Sequence, residues 1–174
     1  MDLAKEKVIL DMDPGHDDAV AMMMAASHPS LEIKAITVVA GNQTLEKTVR
    51  NALNVASVLD LKGVPIAAGM SHPLVREPVT AANIHGESGL NGVELEEPKL
   101  ALDPRHAVDL IVEALSFSSG DINFVATAPL TNPAPTFCRK SRLLISFTIT
   151  LPLPVIRFPV SQSGRTIVGI WPDP

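Results

Sequence analysis

An α/β fold, a mostly parallel sheet with helices on its faces, is what this chain predicts, and three observations carry it. Short apolar runs rich in β-branched residues alternate with segments whose apolar positions recur at helical spacing, the pattern of strand–helix–strand crossovers. The segments that leave the first, second and fourth runs are rich in Asp, Asn, Thr and Gly, so the polar turns gather at one edge of the sheet. In such sheets that carboxyl edge is where ligands bind. The first run also opens the motif around which the chain is organised: Val8 to Asp18 reads Val-Ile-Leu-Asp-Met-Asp-Pro-Gly-His-Asp-Asp.

Val8–Leu10 is the first strand, and Pro14-Gly15 turns the chain. Asp18–Ser27 reads as a helix with Ala19, Met22, Met23 and Ala26 facing the core, ended by His28 and Pro29. Ile33–Val39 is the second strand, left through Ala40-Gly41-Asn42-Gln43-Thr44. Glu46–Leu59 is an amphipathic helix with Val49, Leu53, Ala56 and Leu59 on one face. Gly63–Gly69 holds a short third strand between breakers. Residues 70–104 lack periodicity and read as a lid or binding loop. His106–Ser116 is a helix with Val108, Ile111, Val112 and Leu115 apolar, and Ile122–Ala126 is the fourth strand, left through Thr127–Asn132.

The chemistry concentrates in four aspartates. Asp11 and Asp13 are two apart on a strand and share a face. Asp17 and Asp18 fall in a first helical turn, where backbone N–H groups and the helix dipole favour anions. Four like charges so close repel, and one takes up a proton unless a cation intervenes. A hard divalent ion is the natural partner, with calcium and magnesium both open from the residues alone. The plainer reading, a solvated loop and helix cap, does not require the sharp Pro-Gly reversal.

Composition bounds the rest. The 174 residues, 46% hydrophobic with a net charge of −5, suit one globular domain and argue against nucleic acid as a partner. Prolines and Arg157 interrupt the apolar run Leu143–Val160, so no membrane span is expected. The single Cys138 excludes an internal disulfide and, with a charged N-terminus that is unlike a signal peptide, predicts a cytoplasmic protein. Cys138 has no recognisable His partner for nucleophilic chemistry. His16, His28, His72 and His106 read as surface or capping residues.

Asp11-Met12-Asp13-Pro14-Gly15-His16-Asp17-Asp18-Ala19 resembles the signature of the inosine-uridine-preferring nucleoside hydrolase family without departure. Val39–Thr44 is similar to that family's Val-x-Gly-Asn-x-Thr loop, and Ile84–Gly89 to its His-Gly-x-x-Gly flap. Thr127–Asn132 is similar to its Thr-Gly-Pro-Leu-Thr-Asn segment, with Ala128 in place of Gly. The resemblance covers residues 7–132 and implies a Rossmann-like, mostly parallel sheet that is incomplete relative to the family. The implied activity is calcium-dependent hydrolysis of the N-glycosidic bond of ribonucleosides, in a homodimer or homotetramer. By resemblance Asp13 binds Ca2+ and is the general base, Asp18 is a further ligand, and Thr127 offers its carbonyl. Asp17, Asn42 and His85 meet the substrate, and Asp11 orients the site from behind.

Three segments follow from the same reading: 1–132 as the N-terminal part of such a domain, 133–169 as an anomalous Pro-rich interval, and 170–174 as a family-like end. Pro133-Ala134-Pro135 falls where the family starts a helix and predicts none, and Leu153-Pro154-Val155-Ile156 replaces its Met-Gly-Gly-Gly. Two compensating frameshifts would scramble this interval while keeping its length; resequenced coding DNA free of single-base indels there would sink that idea. Leu143–Leu151 retains the character of a strand. The resemblance also implies a distal aspartate ligand and ribose-contacting Glu and Asn not found in these 174 residues, so the chain is expected to be inactive and poorly stable. Two other readings stand beside hydrolysis: a non-catalytic remnant of the fold, and a phosphatase of the Asp-x-Asp type.

Overall fold

In this computed structural model, which describes residues 5–139, 147–149 and 167–169, the strands form one parallel sheet. β1 (Glu6–Met12) lies between β2 (Leu31–Val38) and β4 (Ile122–Ala126), and β3 (Ile66–Ala68) pairs with β2. β5 (Phe147–Ile149), inside the apolar segment expected to pair, and β6 (Ile167–Gly169) extend the sheet to the order β3-β2-β1-β4-β6-β5. Among the described residues the helical elements are α1 (His16–Ser27), α2 (Leu45–Val58), the single turn α3 (Ala82–His85), α4 (Ala107–Phe117) and α5 (Pro133–Arg139).

Alternation along the strands feeds two cores. Val8, Leu10 and Met12 pack with Ile36, Val38 and helices α1 and α2 on one face. Ile9, Ala35 and Phe124 pack with Ala107, Leu110 and Ile111 of α4 on the other. This is the double cover that a parallel sheet requires.

Three expectations are corrected. Met23 and Ala26 do not form the buried face of α1: Met23 is 40% exposed, and the buried stripe is Asp18, Ala19, Met22 and Ala25. The helix starts at His16 rather than Asp18, and the i, i+3, i+4 stripe then runs from Asp18 itself. Residues 70–104 are not wholly irregular, since α3 lies within them. The third concerns Pro133-Ala134-Pro135, which opens α5 instead of preventing it. Pro133 stands at a first helical position and Pro135 still within the first turn, where N–H groups lack intrahelical acceptors in any case. Of the C-terminal sequence features, Leu153–Ile156 and Ile170–Pro174 lie outside the described residues.

Asn132 locks the carboxyl edge together. Fully buried, it donates through Nδ2 to Asp11 Oδ1 (2.9 Å) and to the Val38 carbonyl (3.2 Å), and its Oδ1 accepts from the Met70 N–H (2.8 Å). Val38 keeps a second donor, the Gly69 N–H, but the Met70 donor and half of the Asp11 anchorage depend on this side chain. Asn132→Ala should therefore cost about 3 kcal/mol, read as a lower urea midpoint at unchanged m-value. A loss below about 0.5 kcal/mol, the usual range for surface changes, would contradict this role.

Candidate functional site

The site forms where β1 hands over to α1. β1 ends at Met12, so Asp11 belongs to the strand and Asp13 to the turn. The shared strand face expected of the two therefore gives way to separate partners. Asp11 Oδ1 accepts from Thr37 Oγ1 (2.6 Å) and Asn132, while its Oδ2 is buried without a partner. Asp13 Oδ2 accepts the Asn42 N–H at 2.6 Å, and the Asn42 amide Nδ2 donates to the Asp13 carbonyl at 3.1 Å. Gly41 sits so close that any Cβ there would collide with the Asp13 carboxylate. The Gly-Asn pair after β2 is thus a clamp on Asp13 rather than only a turn.

Asp18 lies on the buried stripe of α1, and its Oδ2 accepts the Asp13 N–H at 2.8 Å, closing the turn. The Asp13 and Asp18 carboxyl groups lie close enough to affect each other's ionisation, and Thr127, whose Oγ1 donates to the Asp11 carbonyl (3.4 Å), favours the ionised form of Asp18. The resemblance gave Thr127 only a carbonyl role; its hydroxyl matters as well. Asp17, one residue around the helix, is exposed beside the pair.

Burial governs the electrostatics. It pushes Asp13 up to about 8, helped by the charge of Asp18 and opposed by the Asn42 N–H. Asp18 is raised for the same first reason, against the Thr127 and Asp13 donors. Asp11 is pushed up to about 7 by burial, with Thr37 and Asn132 pulling it back. Buried carboxyl groups that resist ionisation, one of them with an orphaned oxygen, supply hard oxygens of the kind a divalent cation takes. Asp13 and Asp18 fit as its protein ligands. The fit is partial: among the described residues no three His, Cys, Asp or Glu side chains converge as a metal centre.

His85 ends α3 and leans over the turn, where a Cβ on Gly15 would come within 2.7 Å of its Nδ1 and 3.0 Å of Asn42 Nδ2. The loop after it is pinned by Gln43 Nε2 to the Gly86 carbonyl (2.8 Å) and by Asn51 Nδ2 to the carbonyls of Pro14 (3.0 Å) and Ser88 (2.9 Å). Of the other histidines, His28 and His106 cap helices as expected, and His72 is exposed. His16 is exposed as well, yet it touches His85. Beside the cluster, a cleft of about 770 Å³ runs from Gly41 and Pro129 under Leu74, Val75 and Val79.

Sequence reasoning brought Asp11, Asp13, Asp17, Asp18, Asn42, His85 and Thr127 to one edge, and the fold gathers them there. It missed Thr37, which looked like an ordinary β-former, and Asn51, hidden as a polar residue on a helix. Asn132 stood in a quoted motif without a role.

Fold and site together define an α/β protein with a buried acidic site at the carboxyl edge of a parallel sheet. The chain belongs to the inosine-uridine preferring nucleoside hydrolase family, whose model matches residues 8–145 and so runs past Asn132. It is 51% identical over 132 residues to a pyrimidine-specific ribonucleoside hydrolase, RihB, from Escherichia coli, a match covering 76% of this chain and 42% of the relative. The chain thus spans about two-fifths of the length of the curated relatives it matches. Among solved structures it is similar to a purine-preferring ribonucleoside hydrolase from Gardnerella vaginalis (30% identity, TM-score 0.72, covering 83% of this chain and 49% of that one). It is similar also to a plant nucleoside hydrolase (26% identity, TM-score 0.73, covering 83% and 50%). Membership of this family sets the phosphatase reading aside.

Proposed function

We propose that this site serves calcium-dependent hydrolysis of the N-glycosidic bond of ribonucleosides, releasing base and ribose. The observation that carries the reading is the buried Asp13–Asp18 pair, clamped by the Asn42 backbone N–H at 2.6 Å, with Asp17 exposed beside it. Water adds to the anomeric carbon as the C–N bond breaks, through a state with positive charge on the sugar. Asp13 takes the proton of that water on its carboxylate. Asp13, Asp18 and the Thr127 carbonyl are the groups that would hold the cation, whose chemistry when bound is that of a Lewis acid toward water. Asp17 and Asn42 bind ribose hydroxyls, Asn42 from a side chain already fixed against the Asp13 carbonyl. His85 contacts the substrate from the flap side. Asp11, tied to Thr37 and Asn132, holds the end of β1 in register behind them.

The pyrimidine-specific name of the 51%-identical relative supports pyrimidine ribonucleosides as substrates. A net charge of −5 supports a small-molecule partner over nucleic acid, and among the described residues no helix is long and apolar enough to cross a membrane. The single cysteine supports a cytoplasmic setting. The second reading is a remnant of the fold that binds without turnover. The test uses the chain and a chimera joining residues 1–132 to the C-terminal part of the Escherichia coli relative. Ribose release from uridine, cytidine and inosine is assayed beside phosphate release from uridine monophosphate. Ribose release by the chimera that needs calcium and stops with chelator is the expected result. No ribose release from an intact, folded chimera favours the remnant.

Within the chimera, Asp17→Ala should lower kcat/KM about 10- to 100-fold, the range of one charge-assisted hydrogen bond, with calcium affinity by calorimetry nearly unchanged. A matching loss of calcium affinity would mean that Asp17 and Asp18 have exchanged roles.

A further inference from the structure

We propose that His16 is a positioning residue that fixes which ring nitrogen of His85 carries its proton, leaving His85 Nε2 bare as an acceptor. The argument is one of donors and acceptors. His16 Nε2 lies 3.0 Å from the backbone carbonyl of Asn91, which can only accept. His16 therefore carries its proton on Nε2, and in the neutral ring its Nδ1 is a lone pair. That Nδ1 lies 3.4 Å from His85 Nδ1, with the ring planes 23° apart and the centroids 5.6 Å apart, so the two rings meet edge to edge. Two lone pairs do not bond, so His85 Nδ1 is the protonated nitrogen and donates to His16. The relay ends at His85 Nε2, free to accept a hydroxyl hydrogen.

The far end of the relay is fixed, which is what lets it impose a choice. Asn91 is held by its own side chain, whose Oδ1 accepts from Ser88 N–H (3.3 Å) and Ser88 Oγ (3.0 Å). Gly86 turns this loop at φ 77, in the left-handed region, with the Asn91 side chain packed where a Cβ would stand. His16 is exposed in the first turn of α1, so packing alone gives no reason for its ring to be an imidazole. The inference rests on the proposed function only for what His85 accepts, namely a sugar hydroxyl. The tautomer itself is independent of turnover.

The experiment is ¹⁵N NMR of the 174-residue chain labelled at histidine, at pH about 8, above the ordinary imidazole range near 6.5. The five histidines are assigned by single substitutions. His85 in the unaltered chain should show a protonated Nδ1 and a bare Nε2. His16→Leu should abolish that preference, with protonated Nε2 appearing at His85, while His28, His72 and His106 stay unchanged. His16→Asn, whose Oδ1 can accept from His85 Nδ1, should restore it. A protonated Nε2 at His85 in the unaltered chain overturns the proposal. So does a His85 tautomer that is the same in the Leu variant, or one that the Asn variant fails to rescue while the remaining histidines keep their spectra.

Discussion

Asp13→Ala in the chimera should lose ribose release by at least about a thousandfold, because general-base removal alone costs about 10²–10⁴ and a cation ligand goes with it. The loss should fall on kcat and kcat/KM together, and raised calcium should not recover it. The geometry says why no neighbour substitutes. Asp18 points its Oδ2 at the Asp13 N–H, Asp11 is turned to Thr37 and Asn132, and Asp17 is exposed. The Asp13 carboxylate is held between a donor, the Asn42 N–H, and a like charge, Asp18. Retention of a tenth or more of the activity of the unaltered chimera refutes the assignment of Asp13 as base. Asp13→Asn separates the two roles, since the amide keeps an oxygen for the cation but cannot take the proton. It should be nearly as inactive while keeping some calcium affinity.

How far the sequence reached depended on whether a residue's task was local. The strands declared themselves through β-branched runs, and Ile122–Ala126 matches its expected bounds. The Asp-x-Asp-Pro-Gly-x-Asp-Asp turn was legible because its spacing alone dictates a reversal after a strand. The buried stripe of α1 was half read: Ala19 and Met22 were expected and are buried, while Asp18 and Ala25 take the places given to Met23 and Ala26, because a carboxylate was not counted as a residue a helix would bury. α5 was missed because proline was weighed as a breaker without regard to position, while within the first turn its missing N–H costs nothing. Thr37, Asn51 and Asn132 act across long sequence separations, on Asp11, on Pro14 and Ser88, and on Asp11 and Met70. No local pattern announces such pairings. The His16–His85 contact is of the same kind, joining residues from a helix start and a flap.

With divalent ions removed by chelator, the chain should be markedly more stable at pH 5 than at pH 8. Asp11 and Asp13 have folded pKa values raised to about 7 and about 8, and Asp18 is raised too. Between the ordinary carboxylate range near 4 and these values, the folded state binds more protons than the unfolded one, so stability falls as pH rises. For Asp11 alone the shift is worth about 4 kcal/mol across that window, and the Asp13–Asp18 pair adds to it. Asp103, held down to about 2 by Arg105, acts in the opposite sense, but is fully ionised in both states above pH about 5 and adds no slope there. A cation that binds only the folded chain replaces the protons and adds about 2.7 kcal/mol at a hundred times its Kd, so excess calcium should flatten the profile. Urea midpoints at the two pH values, with chelator and with calcium, measure this. Asp13→Asn should make the chelated chain more stable at pH 8 than the unaltered one, by removing a charge that the fold desolvates. The same substitution that abolishes turnover then stabilises the fold, which is the expected cost of assembling carboxylates for a cation. Chelated stability that rises from pH 5 to pH 8 would show that these carboxylates ionise freely in the fold, and that the buried cluster is not the cation site drawn from it.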